Sequence, residues 1–249
     1  MEFQDHFSKQ SSIYRKARPT YPKELFSYLA GLCSAHALCW DCGTGNGQAA
    51  VSLAAYFEKV IATDPSAQQI ANAIPAANIE YRVAPAEQSG LPNQCADLLT
   101  AATAAHWFNH ELFYPEAKRV LKPGGVIALW TYSMAHINPA IDELMEWFAY
   151  DYLLTYWPDG RWYVRQQYKT LPFPFEAMDT PAFFCRMQWT RAQWVDYLRS
   201  WSSYNKYIEQ HSADPINEVL LSKLAPLWPE GDVKEITWPL HLKCARVGA

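Results

Sequence analysis

Four residues at a fixed spacing form the part of this chain best suited to binding a ligand, the pattern Asp41-x-Gly43-x-Gly45-x-Gly47. Glycines let a backbone turn sharply and let a ligand approach closely, because no Cβ stands in the way. An apolar run precedes the pattern and helical spacing follows it, so the turn joins a strand to a helix N-terminus. Free N–H groups and a partial positive charge make such an N-terminus favourable for an anionic group. The third glycine comes one residue too soon for the G-x-G-x-x-G of dinucleotide sites, which argues against a nicotinamide-dependent oxidoreductase.

A second acidic residue, Asp64, follows the next apolar strand pattern, seventeen residues after Gly47. A carboxylate at that strand end can accept hydrogen bonds from both hydroxyls of a ribose, each contributing roughly 1.5–3 kcal/mol. The alternative is a local role, because Asp64 or Ser66 can also cap the helix that begins here. The order of strand, glycine turn, strand and acid favours the ribose.

The elements that position these residues alternate between strand and helix patterns over the first 130 or so residues. Strand patterns cover residues 36–40, 59–63, 79–83, 97–102, 126–132, 183–189 and 234–247, the last broken at Pro239. Helical patterns cover residues 22–33, 49–57, 66–73, 111–121, 138–154, 190–201 and 215–227. This alternation predicts an α/β fold, with a doubly wound and mostly parallel sheet between two layers of helices. Ligands of such folds bind at the carboxyl ends of the strands.

The turn from Asp41 to Gly47 resembles motif I of class I S-adenosylmethionine-dependent methyltransferases. Two further stretches are similar to this family, Ala104-Ala105-His106-Trp107-Phe108-Asn109 and Arg119-Val120-Leu121-Lys122-Pro123-Gly124-Gly125. The resemblance covers residues 3–132. It implies a Rossmann-like sheet of seven strands whose last strand is antiparallel, and S-adenosyl-L-methionine as the cofactor. It also implies that the cofactor contacts the motif residues Asp41, Gly43, Gly45 and Gly47 together with Asp64.

The same resemblance implies contacts to the two ends of the cofactor. The segment Val83-Ala84-Pro85-Ala86-Glu87 is similar to the one that frames the adenine in this family. Many relatives carry an acid where this chain has Pro85, so Ala86 and Glu87 are the matching candidates. Thr103, at the end of the fourth strand, would face the methionine part.

The N-terminal residues Phe7, Tyr14 and Arg18 resemble the opening of the trans-aconitate methyltransferase-like group, also described as methyltransferase type 11. In that group this arm, here residues 1–22, folds over the cofactor. Phe7 and Tyr14 would then pack on its methionine end. Arg18 would pair with its carboxylate in a bidentate geometry, or would otherwise be a surface residue.

The implied reaction is methyl transfer to a small-molecule acceptor by in-line displacement, and a carboxylate acceptor would need no general base. Aromatic residues crowd residues 134–178, which we interpret as a helical lid insertion within a single domain, 1–249. Such a lid would keep the pocket dry and favour a sulfonium cation. The alternative function is a non-catalytic S-adenosylmethionine-binding or interaction protein on the same scaffold.

Four residues near the predicted crevice are candidates for acceptor chemistry. His106 can act as a general base for a phenol, thiol or amine, or can be a structural histidine that orients the loop before Trp107. Arg161 and Arg165 are four residues apart and share a helix face, so they can bind an acidic substrate or can simply be solvated.

Composition limits the partners of this chain. Its 249 residues carry a formal net charge of −4 with no long run of Lys or Arg, so we expect no nucleic-acid binding. No apolar stretch reaches about 18 residues, and no signal peptide is visible, so we expect no membrane span.

Of six cysteines only Cys39 and Cys42 form a C-x-x-C pair, which predicts no metal site. Scattered thiols favour a cytoplasmic protein, which we expect to be a monomer or a homodimer.

Overall fold

The computed structural model describes residues 18–248, which form the predicted alternation of strands and helices. The strands are β1 (Leu38–Cys42), β2 (Lys59–Asp64), β3 (Ile79–Val83), β4 (Ala96–Ala102), β5 (Leu121–Tyr132), β6 (Phe183–Thr190) and β7 (Val233–Arg246). The α-helices are α1 (Lys23–Gly31), α2 (Gln48–Leu53), α3 (Ala67–Ala71), α4 (His110–Val120), α5 (Pro139–Trp147), α6 (Arg161–Arg165), α7 (Arg191–Arg199), α8 (Ser202–His211) and α9 (Leu221–Leu224). Short 3₁₀ or π-helical turns cover Ala105–Trp107, Phe148–Tyr152, Leu154–Tyr156 and Ile216–Leu220. Within residues 18–248, no helix has the length and apolar character that a membrane crossing requires.

The seven strands form one sheet in the order β3-β2-β1-β4-β5-β7-β6. Neighbouring strands are parallel from β3 to β5, whereas β7 is antiparallel to both β5 and β6. The predicted doubly wound sheet with an antiparallel last strand is therefore confirmed. The chain builds outward from β1 through β2 on one side and resumes with β4 on the other. Folds of this kind bind ligands at such a reversal, beside the carboxyl ends of the two strands.

The sheet is buried on both faces because its strands direct alternate residues to opposite sides. Trp130 of β5 packs on one face, where its ring centroid lies 6.2 Å from that of Phe26 in α1. Leu129, the preceding residue, packs on the other face in a cluster with Phe113 of α4. All four side chains are almost completely buried. These two clusters produce the predicted layers of helix, sheet and helix.

Residues 134–178, the predicted lid insertion, are largely helical and contribute to both clusters. Phe148 and Leu153 are fully buried on the α1 face of the sheet. Val164 and Tyr168 are fully buried on the α4 face. Because the segment shares both cores with the sheet, these contacts support the proposal that the chain is a single domain.

Strand β7 is continuous through Pro239, so the predicted break is wrong. Thr237 exchanges two backbone hydrogen bonds with His136, of 2.8 and 2.9 Å, and residues two apart in a strand face the same side. The ring nitrogen of Pro239 therefore faces the segment between Tyr132 and His136. The pairing of β5 with β7 ends at Tyr132 and Leu240, before Pro239 is reached. The N–H that proline lacks therefore removes no hydrogen bond between these two strands.

Strand β5 begins at Leu121, earlier than the predicted start at Val126, because the residues between these two form a bulge within the sheet. Leu121 pairs with Ala96, and the register then shifts so that Val126 pairs with Leu98. Gly124 lies inside this bulge at a φ of +76° and donates its N–H to the carbonyl of Val247, at 2.8 Å.

Candidate active site

The glycine turn lies at the centre of the sheet, between β1 and α2, and its three glycines have φ angles of +66°, +57° and +87°. A Cβ on Gly43 would lie 2.6 Å from the Cβ of Ala104, and one on Gly47 would collide with the Tyr81 hydroxyl. A Cβ on Gly45 would meet no atom of residues 18–248 within 4 Å. Two glycines thus allow close packing of the turn, while Gly45 borders open space. A ligand can approach the backbone at that point.

Asp41, the acid of the glycine pattern, is fully buried near the end of β1. Its carboxylate accepts hydrogen bonds from the hydroxyls of Thr44, at 2.6 Å, and Thr100, at 2.7 Å. Burial raises its pKa to about 6, although the two hydroxyls act in the opposite direction. Through these two hydrogen bonds, the buried Asp41 connects the glycine turn with β4. Its contact with the cofactor stays a prediction, and the geometry favours an indirect role through the turn.

Asp64 links the end of β2 to the same turn. Its Oδ2 accepts the N–H of Gly45, at 2.9 Å, and its Oδ1 accepts the N–H of Ser66, also at 2.9 Å. The helix cap is Ser66, whose hydroxyl accepts the N–H of Gln69 at 3.3 Å. The capping alternative thus applies to Ser66, and the half-buried carboxylate of Asp64 lies beside the open space at Gly45.

The predicted adenine segment follows β3 on the side of Asp64. Ala86 is buried, and the carboxylate of Glu87 accepts the N–H of Asn109, at 2.7 Å, just before α4. Val83, which pairs in register with Asp64, is 56% exposed and offers an apolar surface next to that carboxylate. The sequence analysis included Val83 in the adenine segment but named only Ala86 and Glu87 as candidates for contact. The adenine contacts of Ala86 and Glu87 stay predictions.

Thr103 follows β4 in a backbone conformation that is uncommon for its side chain. Its φ is +53°, a left-handed value at which a β-branched residue is an outlier. Its N–H donates to the carbonyl of Trp130, at 2.7 Å, and its hydroxyl lies 3.1 Å from the hydroxyl of Tyr21. Such conformations concentrate at functional sites. No sequence pattern reveals this feature, although the position of Thr103 was predicted.

His106 lies in the turn Ala105–Trp107 directly after β4 and is only 5% exposed. Its Nδ1 is 2.9 Å from the hydroxyl of Tyr168, a fully buried residue of the lid insertion. Burial lowers the pKa of His106 well below its usual value, and the positive charges of Arg161 and Arg18 act in the same direction. The imidazole is therefore neutral at physiological pH.

A cavity of about 30 Å³ lies beyond the carboxyl end of β4, next to the insertion. Its lining residues are Arg18, Thr103, His106, Trp107, Trp157, Arg161, Trp201 and Ser202. Five of these were predicted as site residues. Trp157 was predicted only as part of an aromatic segment, and Trp201 and Ser202 were not predicted, since they reach the cavity from the connection between β6 and β7.

The two arginines of the cavity differ in their partners. Arg18 donates to the hydroxyl of Tyr132, at 2.8 Å, and to the carbonyl of Ser200, at 3.3 Å. Arg161 stacks on Trp157, with its guanidinium carbon 4.8 Å from the ring centroid. Within residues 18–248, the guanidinium of Arg161 makes no hydrogen bond or ion pair, and its Nε is sealed from solvent without a partner. A half-buried guanidinium with no anionic partner among the described residues is therefore part of the cavity wall.

The structure does not bring Arg165 to the cavity with Arg161. Arg165 is exposed, lies 4.0 Å from the carboxylate of Glu146, and stacks 4.3 Å above the ring of Tyr150. One helical turn advances about 5.4 Å along the axis, which carries Arg165 past the cavity and toward α5.

The predictions for the N-terminal arm and for metal binding involve none of the contacts described above. Phe7 and Tyr14 lie outside the described residues, and their roles stay predictions. Across residues 18–248, no three His, Cys, Asp or Glu side chains come together as metal ligands. The thiols of Cys39 and Cys42 are free and buried in the sheet.

The chain is similar in sequence to known methyltransferases. Residues 40–129 match the profile of a methyltransferase domain. A Dictyostelium discoideum protein named as a methyltransferase is 35% identical over 248 residues, which cover 97% of this chain and 94% of that protein. A Saccharomyces cerevisiae protein named as an S-adenosylmethionine-dependent methyltransferase is 23% identical over 86% of this chain and 87% of its own.

A solved structure extends the similarity to the fold. The protein, from Anaeromyxobacter dehalogenans and described as a type II methyltransferase, superposes with a TM-score of 0.85. It is 36% identical, and the match covers 92% of this chain and 97% of that chain. The similarity therefore includes the segments outside the 40–129 match.

Proposed function

Because this chain belongs to the class I S-adenosylmethionine-dependent methyltransferases, we propose that it methylates a small acceptor that carries a carboxylate. The reaction type and the cofactor follow from the family. The acceptor is our inference, and the observation that carries it is the guanidinium of Arg161 in the cavity wall, which has no ion-pair partner within residues 18–248.

The described residues fit the nucleoside part of the cofactor. Gly45 borders open space, and the carboxylate of Asp64 lies next to it, where it can accept bonds from ribose hydroxyls in addition to the backbone N–H groups. The exposed side chain of Val83 offers an apolar surface for a flat ring on the far side of Asp64. We assign Thr103 to the methionine end, because it lines the cavity at the end of β4.

The cavity favours an anion because its polar groups are mainly donors. Two guanidinium groups, those of Arg18 and Arg161, line it, and no Asp or Glu of residues 18–248 does. A buried donor that stays unpaired costs about 1–3 kcal/mol, so a carboxylate that pairs with these groups would be stabilised.

A carboxylate acceptor also suits the chemistry. Bound S-adenosylmethionine supplies a methyl group on a sulfonium, and a carboxylate oxygen that takes this methyl forms an ester while the C–S electrons return to sulfur. The nucleophile is already ionised, so this chain needs no general base and has mainly to align the reacting atoms. The aromatic walls formed by Trp107, Trp157 and Trp201 would exclude water from the nucleophile.

The test compares Arg161→Gln with Arg165→Gln, a matched change one helical turn away and outside the cavity. Acceptors would be a panel of mono-, di- and tricarboxylic acids, each with its carboxamide analogue, together with phenols, thiols and amines. Labelled S-adenosylmethionine would report methyl transfer to each, and alkali lability of the product would identify a methyl ester. We expect turnover of acids only. In Arg161→Gln the KM for the acid should rise about 10- to 100-fold, since one charge-assisted bond contributes roughly 1.5–3 kcal/mol.

Arg165→Gln should behave like the wild type, and both variants should keep the wild-type affinity for S-adenosylmethionine. Turnover restricted to phenols, thiols or amines would overturn the carboxylate assignment. An unchanged KM in Arg161→Gln would remove Arg161 from the site. Cofactor binding without turnover of any acceptor class would favour the non-catalytic alternative.

A further inference from the structure

Tyr168 connects the lid insertion with the loop that follows β4. Its side chain is fully buried, and its phenol oxygen lies 2.9 Å from Nδ1 of His106. Gly160 brings the insertion close to the same loop, because a Cβ there would collide with the carbonyl oxygen of His106. One proton lies in this hydrogen bond. If the phenol donates it, the neutral imidazole carries its own proton on Nε2. If Nδ1 donates it, Nε2 is unprotonated.

The contacts of Tyr168 identify the donor. Burial raises the pKa of the phenol, so the phenol keeps its proton. Within residues 18–248, Nδ1 of His106 is the one side-chain partner within hydrogen-bond distance of the phenol oxygen. If Nδ1 carried the proton instead, the phenol O–H would be a buried donor with no acceptor, which is a costly arrangement. The phenol therefore donates to Nδ1.

We infer that His106 carries its proton on Nε2 and presents it to the cavity as a hydrogen-bond donor that positions the acceptor, with Tyr168 fixing this tautomer. Nε2 makes no hydrogen bond within residues 18–248 and is not sealed from solvent, and the residue lines the cavity. Tyr168 is a positioning residue, since it acts through His106. The identity of the positioned group as a carboxylate rests on the proposed function.

This tautomer changes the role that His106 can have. An Nε2–H group cannot take a proton from the acceptor, so His106 is not the general base that a phenol or amine would need. It adds a neutral donor to the positive charges of Arg18 and Arg161. Three donors from separate segments can hold one oxygen of a carboxylate and leave the other oxygen for the methyl group.

The first test measures the tautomer directly and needs no acceptor. The full chain would be prepared with ¹⁵N-labelled histidine, and the ring resonance of His106, one of seven histidines, would be assigned by its loss in His106→Gln. We expect an unprotonated Nδ1 and a protonated Nε2 at pH 7.5. In Tyr168→Phe the preference should weaken to a mixture of tautomers. A wild-type spectrum with the proton on Nδ1 would overturn the inference, whatever the acceptor proves to be.

The second test compares His106→Gln with His106→Ala in methyl transfer. The glutamine amide can donate from about the position of Nε2 but is not a base. We expect His106→Ala to lose about 10- to 100-fold in kcat/KM and His106→Gln to recover most of that loss. Equal losses in both variants would overturn the donor role.

Controls separate these outcomes from misfolding. His110→Gln changes a neighbouring histidine that bonds the Ala105 carbonyl, at 2.9 Å, and does not line the cavity. It should keep wild-type kinetics, and every variant should keep the wild-type dissociation constant for S-adenosylmethionine. If no carboxylic acid is turned over, the spectrum alone decides the tautomer, so a wrong acceptor and a wrong tautomer give different results.

Discussion

Asp41→Asn tests how the buried support of the glycine turn contributes to folding stability. Asp41 is fully buried, and burial raises its pKa from 3.8 to about 6. One pKa unit corresponds to about 1.4 kcal/mol, so ionising Asp41 should cost the folded state about 3 kcal/mol relative to the unfolded chain. The hydroxyls of Thr44 and Thr100 already offset part of the burial and are included in this value.

The sign of the pH dependence follows from the direction of this shift. Between pH 3.8 and about 6 the folded protein holds more protons on Asp41 than the unfolded chain does. Stability from this residue is therefore fully present below pH 3.8 and is lost as the pH rises through about 6. Asparagine cannot titrate, so the stability of Asp41→Asn relative to the wild type should increase by about 2.4 kcal/mol between pH 4 and pH 7.5.

Urea unfolding of both proteins across this pH range measures the effect, because all other titrating groups cancel in the difference. Glu24→Gln, at an exposed acid of α1, is the control and should follow the wild type. Parallel curves for Asp41→Asn and the wild type would refute the reasoning. Calorimetry with S-adenosylmethionine at pH 7.5 then reports whether the turn still binds the cofactor when its buried charge is absent.

Two further predictions concern the cofactor and the lid. Asp64→Ala should weaken S-adenosylmethionine binding by about tenfold or more in calorimetry, whereas Ser66→Ala should cost about 1 kcal/mol of stability through the lost cap and leave the affinity unchanged. An unaltered dissociation constant in Asp64→Ala would remove the ribose assignment. Gly160→Ala should raise the KM of the acceptor without changing cofactor affinity, because its Cβ would push the insertion away from the His106 carbonyl. Wild-type kinetics in this variant would contradict that packing.

Local patterns were sufficient to predict the sheet. Buried parallel strands are apolar runs bounded by turn residues, and each predicted strand overlaps an observed one. The start of α7 was also predictable, since Thr190 and Gln193 form a reciprocal capping box. Pro239 was misjudged because its effect depends on whether a neighbouring strand faces its nitrogen, and that neighbour is distant in sequence.

The site was predictable where its chemistry is local. Asp64 was placed beside the glycine turn from spacing alone, and it bonds the Gly45 N–H. Arg161 and Arg165 could not be distinguished, because helical spacing gives their relative direction on α6 but not the position of the cavity along the axis. Tyr168 was missed for a related reason, since the residue that it contacts lies 62 positions away.

The described geometry explains why family membership identifies the reaction of this chain and leaves its acceptor to experiment. The glycine turn, Asp64 and Thr103 all lie within residues 40–129, which match the methyltransferase domain profile. The groups that we assign to acceptor recognition lie mostly beyond it, namely Trp157, Arg161, Tyr168 and Trp201. His106 joins the two sets, because it follows β4 but takes its tautomer from the insertion. A change of acceptor among relatives can therefore arise from substitutions after β5 that leave the cofactor site intact.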